Sequence, residues 1–252
     1  MALFKNPQES HEHSLKVLNA IREYDTFLES LTVIADMGAG SGLDAEWFAT
    51  LTTRDDTPEP LNYIVYAVDQ NISQLEVDTR VIKNIILQEG NFEDRIIPRT
   101  ADLIWSHDSF QFARDPFKTL ATWKNSMSVN GMLILSIPQT TYWDSRIGRL
   151  VVSVHNGQYF SYNLLNLMYM LAISGFDARD AFFYRDPDSP WLYAAVYASE
   201  EGPLDKNTTW YDLADRNLIN DSVISSVNKY GYARLEDVVV RWFDKNYYQI
   251  NN

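Results

Sequence analysis

The stretch VIADMGAGSGLDAEWFATL occupies Val33 to Leu51. An apolar run ends at an aspartate, three glycines alternate with small residues at 38, 40 and 42, and a helical pattern starts at Leu43. Gly38, Gly40 and Gly42 allow a tight turn, close approach of a ligand to the backbone, and an unobstructed helix start. Such a strand-turn-helix unit offers free amides to a polar or anionic ligand. A mere sharp turn accounts poorly for three alternate glycines with an acid ahead of them. A dinucleotide site is the serious rival, but its spacing wants glycine or alanine where Leu43 stands. Its pyrophosphate would also meet the charge of Asp36. A ligand bearing an ammonium group suits Asp36 better, because opposite charges attract strongly in a partly desolvated cleft.

Outward from this turn, short apolar runs rich in β-branched and aromatic residues recur: LTVIA, YIVYAV, NIILQ, ADLIW, GMLILSI and WLYAAVYA. They read as strands buried on both faces. Helical patterns lie between several of them, at 43–51, 116–127 and 162–173. The alternation predicts an α/β fold with a doubly wound, mostly parallel sheet. Ahead of it, Asn6, Pro7 and Glu9 suit a capped helix start, and Leu15, Leu18, Ile21, Tyr24 and Leu28 follow at helical steps. Residues 52–62 are polar with two prolines and predict a surface loop. Residues 139–163 are aromatic without a clear period and predict a lid over the strands' carboxyl ends. Beyond residue 200 the spacing suggests two or three helices.

The chain has 252 residues, 46% of them hydrophobic, enough for one α/β domain with a full core. We expect a single domain over 1–252: a helical cover (1–30), a ligand-binding core (31–200) and a helical extension (201–252). A net charge of −13 and scattered basic residues argue against nucleic acid. The absence of cysteine excludes disulfides, thiolate metal sites and a cysteine nucleophile. The opening MALFKNPQES has no long apolar stretch, and no segment approaches a membrane span. The expectation is a cytoplasmic protein with no membrane partner; oligomeric state is open.

The segment DMGAGSG resembles the first motif of class I S-adenosylmethionine-dependent methyltransferases. The likeness continues in order through YAVDQ, QEGNFED, ADLIWSHDSFQFARDP and NGMLILSIP, covering roughly residues 30–200. It implies a seven-stranded Rossmann-like sheet with helical additions at both ends, and S-adenosylmethionine as cofactor. By position, Asp36, Gly38, Gly40 and Gly42 would line the methionine portion. Asp69 would accept from the ribose hydroxyls. Gln70, Asn91 and Phe92 would surround the adenine, and Trp105 and Ser106 would sit near the sulfonium.

Methyl transfer needs alignment and exclusion of water, with a base only if the nucleophile begins protonated. The segment WSHDSFQFARDP is similar to its counterpart in sarcosine, dimethylglycine and phosphoethanolamine methyltransferases. Those commonly place a histidine where Phe112 stands. His107 is the candidate base; a loop histidine bonded to backbone is the plainer alternative. Asp108 either caps the next turn or touches substrate. Tyr142, Trp143, Tyr159, Phe160 and Tyr162 suit an aromatic wall or a cage for an amine. Arg146, Arg149 and His155 suit pairing with an anionic group. His11 and His13 form an H-x-H, expected to be a solvated first helical turn rather than a metal site. His11 shares a face with Leu15 and Leu18 and would reach the pocket if that helix covers it.

The expected function is methyl transfer to nitrogen or oxygen of a small-molecule acceptor. The alternatives are a non-catalytic module that binds the same cofactor in support of a partner protein, and a nicotinamide-dependent oxidoreductase.

Overall fold

The computed structural model describes residues 7–24, 27–54, 56–75, 82–94, 97–139, 141–144, 148–152, 158, 160, 162–185, 190–205 and 207–230. Its centre is a seven-stranded sheet in the order β3-β2-β1-β4-β5-β9-β8. The strands are β1 (Val33–Met37), β2 (Ile64–Asp69), β3 (Ile85–Glu89), β4 (Ala101–His107), β5 (Met127–Pro138), β8 (Phe176–Arg185) and β9 (Trp191–Ala198). The first five are parallel, and β9 runs antiparallel to both β5 and β8. The chain leaves β1 towards β2 on one side and returns to β4 on the other. A crevice therefore opens beyond the carboxyl ends of β1 and β4, where sheets of this kind receive ligands.

Alternation along each strand sorts side chains into two cores. Val33, Ala35, Met37, Ile104, Leu133 and Leu135 face one core, with Trp123 and Leu167. That side is covered by α3 (Pro116–Lys124) and α4 (Leu164–Ile173). Ile34, Leu103, Trp105, Met132 and Ile134 face the other, with Val17, Leu18, Ile21 and Phe48. Those last four come from α1 (Pro7–Tyr24) and α2 (Leu43–Ala49). By the same alternation Asp36 and His107 point to the α1–α2 side.

α1 starts at the expected Pro7; its expected cap, Asn6, lies outside the described residues. Glu9 in its first turn and Arg22 in its last complement the helix dipole. The apolar spacing runs on past the end of α1 to Leu28, which is 3% exposed in a separate turn at Phe27–Ser30. Residues 52–54 and 56–62 lie in the expected loop, with a bridge between Thr52 and Pro60. The predicted lid, 139–163, contains a hairpin of β6 (Thr141–Asp144) and β7 (Arg149–Val152). Past residue 200, α5 (Trp210–Asp215) opens with a Thr209–Asp212 capping box, and α6 (Asp221–Tyr230) follows. No helix among the described residues is long and apolar enough to cross a membrane.

Candidate functional site

The glycine turn is fastened to β2. The N–H groups of Gly38 and Ala39 donate to the Val68 carbonyl at 2.9 and 3.0 Å. Gly38 has φ 85°, and a Cβ on it would stand 2.3 Å from Ser109 Cβ. Ser109 Oγ itself donates to the Met37 carbonyl at 2.6 Å. Glycine at 38 is thus required twice, by backbone conformation and by space. Gly40 is different, since nothing lies within 4 Å of where its Cβ would be. Its N–H donates to Asp69 Oδ2 at 2.9 Å. Gly42, at φ 81°, caps α2.

The turn forms one wall of a cleft of about 610 Å³. Asp36 lies at its base, 2% exposed. The Ala45 backbone N–H bonds to its carboxylate, but Oδ2 has no hydrogen-bond partner. Burial, with Asp44 and Asp69 nearby, pushes its carboxyl well above the usual carboxylate range. A buried charge left half-satisfied is costly unless a partner arrives. The opposite wall comes from α1, through Pro7, Ser10 and His11.

α1 is held down by two polar clusters. Asp44 Oδ1 receives His11 Nδ1 at 2.6 Å and the Ser14 hydroxyl, while its Oδ2 receives Trp105 Nε1 at 2.9 Å. In the second cluster, Tyr193 Oη lies 2.9 Å from His13 Nε2, and His13 Nδ1 lies 2.9 Å from His107 Nε2. Ser10 Oγ is 3.5 Å from His107 Nδ1. Trp191 stacks on His13 at 4.4 Å and on His107 at 5.2 Å. Burial lowers His13 to about 3 and His107 to about 4, so both imidazoles are neutral near pH 7. One consistent assignment runs Tyr193 to His13 to His107 to Ser10, each donating to the next. In it, His107 Nε2 already accepts a hydrogen bond from His13.

The H-x-H is therefore not a solvated turn, which corrects the expectation. Both histidines turn inward because α1 lies on the sheet, and His11 reaches the cleft. Among the described residues no three side chains are placed to hold a metal ion.

Of the residues expected to bind cofactor, Asp36, Gly38 and Gly40 line the cleft, as does the candidate base His107. Asp69 stands at the tip of β2, where Oδ1 accepts from Asn71 N–H at 2.9 Å. Its carboxylate fixes the turn and keeps further lone pairs. Gln70 beside it is exposed. Asn91 is turned towards its own loop, with Oδ1 accepting from Glu93 N–H at 3.0 Å. Phe92 is buried in the core beside Trp123, whose Nε1 donates to the Phe92 carbonyl at 2.7 Å. Trp105 is fully buried behind Asp44, and Ser106 is buried on the other face of β4, 2.6 Å from Ser109 Oγ.

Tyr142 and Trp143 pair with Val151 and Leu150 in the hairpin. Arg146, His155 and Tyr159 lie outside the described residues. Arg149 is exposed, as is Phe160. Tyr162 is buried against Phe110, at 5.9 Å between rings, rather than in the cleft. Asp44, Ser10 and Ser41 also line the cleft and were not singled out from the sequence. Asp44 follows Gly42 by two places, and that acid just inside the helix is the one local signal that pointed to it.

Residues 35–135, from β1 to β5, match the family model described as a methyltransferase domain. No curated protein matches the chain in sequence. Among solved structures, a protein from Listeria monocytogenes assigned as an S-adenosylmethionine dependent methyltransferase superposes with a TM-score of 0.55 at 13% identity. That match covers 73% of this chain and 98% of the other. An S-adenosylmethionine dependent methyltransferase from Mesorhizobium loti gives 0.50 at 14% identity, over 72% and 97%. The DhpI-SAH complex gives 0.53 at 13% identity, over 76% and 86%. The chain thus shares the fold of these solved methyltransferases, and its residues 35–135 match the methyltransferase-domain model.

Proposed function

We propose that the protein transfers a methyl group from S-adenosylmethionine to a nitrogen or oxygen of a small-molecule acceptor. The observation that carries this is Asp36, buried at the base of the cleft with one oxygen unpartnered. The ammonium of an amino acid tail satisfies that oxygen; a pyrophosphate would be repelled by it. Gly40, with open space where a side chain would stand, lets the ligand lie against the backbone. Asp36, Gly38 and Gly40 would hold the methionine end, and spare lone pairs of Asp69 the ribose. The bound donor supplies a methyl group already activated on a sulfonium.

The protein's own work is then to bind, orient and exclude water, and α1 contributes by walling one side of the cleft. The net charge of −13 favours a small molecule over nucleic acid as acceptor, and the cytoplasm is the proposed site of action.

Calorimetry with S-adenosylmethionine, S-adenosylhomocysteine and NADH tests the reading. The two sulfur compounds should bind and NADH should not; heat with NADH alone would overturn it. Asp36→Asn keeps the shape and removes the charge. It should weaken S-adenosylhomocysteine by about 1.5–3 kcal/mol, the worth of a charged hydrogen bond. Wild-type affinity should also rise with pH, because the carboxyl must lose its proton to receive the ammonium.

A further inference from the structure

The cleft contains three carboxylates, and their hydrogen bonds set them apart. Asp36 awaits a cation at the base, and Asp44 is consumed by His11, Ser14 and Trp105. Asp108 is the third. It follows β4 directly, with φ 49°, a left-handed conformation that costs a non-glycine residue energy. Its N–H donates to the Ser136 carbonyl at 2.9 Å, which fixes the turn. Gln111, fully buried, donates Nε2 to Asp108 Oδ1 at 2.6 Å. Among the described residues no donor reaches Oδ2. One oxygen is thus clamped from behind while the carboxyl group fronts the cleft. No lysine or arginine is found among the described lining residues.

Resting on the methyl-transfer reading, we infer that Asp108 is the catalytic base of this cleft, receiving a proton from an amine acceptor that enters as its ammonium ion, and that Gln111 is its positioning residue. The ammonium N–H bond breaks, its electron pair stays on nitrogen as the attacking lone pair, and the proton bonds to Asp108 Oδ2. Asp108 later returns that proton to water.

Burial raises Asp108 to about 7, against the weaker opposing pull of the Gln111 bond, so it can hold or release a proton near neutrality. The other titratable groups facing the cleft are Asp36 on β1, His11 on α1, Asp44 on α2 and His107 on β4. His107 is a poor rival: burial lowers it to about 4, and His13 lies within hydrogen-bond distance of its Nε2.

The test uses the full chain saturated with S-adenosylhomocysteine and three probes of one shape: benzylamine, benzyl alcohol and benzoate, followed by ligand-observed NMR. Benzylamine should bind at least about tenfold more tightly than the alcohol at pH 8, and benzoate should not bind. Its affinity should fall about tenfold between pH 8 and pH 6 as Asp108 takes up its proton. Asp108→Asn should abolish both the amine preference and the pH dependence while S-adenosylhomocysteine affinity stays within about twofold. Gln111→Ala should keep the preference but displace its pH midpoint. Equal binding of amine and alcohol, preference for benzoate, no binding of any probe, or an amine preference that survives Asp108→Asn would each overturn the inference. Failure of the wild type to bind S-adenosylhomocysteine would instead remove the methyl-transfer reading beneath it.

Discussion

The paired histidines under α1 should make the fold sensitive to acid in a way that can be isolated. Burial lowers His13 to about 3 and His107 to about 4 from an ordinary 6.5. The unfolded chain therefore binds more protons than the native one below pH 6.5. The stabilisation is complete above 6.5 and is lost as pH falls from there towards 4. At pH 5, 1.5 units below the ordinary value, each histidine forfeits about 2 kcal/mol at 1.36 kcal/mol per unit, or about 4 kcal/mol for the two. Asp36 and Asp108, both raised by burial, work in the opposite sense, losing stability as pH rises above 3.8, up to about 7 for Asp108. The bare pH dependence of the protein therefore mixes the histidines with these carboxyls.

The double variant His13→Phe, His107→Phe removes the histidine contribution and keeps aromatic surface against Trp191. Calorimetric unfolding of both proteins at pH 7.5 and pH 5 gives the difference directly. The wild type should lose about 4 kcal/mol more than the variant, roughly 8–16 °C in Tm for a chain of this size. Stability curves that run parallel across that interval would refute the buried, neutral pair.

Two further substitutions probe the walls of the cleft. Gly38→Ala places a Cβ 2.3 Å from Ser109 Cβ at φ 85° and should cost about 3 kcal/mol or more, read as a drop in urea midpoint. Combining it with Ser109→Gly should recover the steric part and leave the conformational part. Asp44→Ala strands His11, Ser14 and Trp105 and should destabilise by about 3 kcal/mol. Limited proteolysis should then cut first within α1; unchanged protection there would show that Asp44 does not hold the helix.

The glycine turn and five parallel strands were legible because their signals are local: apolar runs of strand length, and glycines at positions of positive φ. β8 escaped because its first half, with Asp177, Arg179 and Asp180, lacks an apolar run. Its register with β9 also shifts between Asp177 and Phe182. The lining of the candidate cleft was legible where one segment builds it, as at Asp36 and Gly40. It was illegible where distant segments meet. His13 faces His107 across 94 positions and Tyr193 across 180, and no periodicity within α1 announces partners so far away. Phe92 and Trp105 illustrate the converse, since alignment by position says which strand carries a residue and not whether its ring lies in the cleft or in the core.

α1 supplies part of the cavity wall through Ser10 and His11, and its neighbours His13 and Ser14 tie it to the sheet and to α2. Most of that wall and its fastening is thus spelled by four residues, Ser10, His11, His13 and Ser14, on little more than one helical turn. Freeing the helix and dismantling that side of the cleft are consequently coupled, so a change that loosens this turn should also weaken whatever the cleft binds.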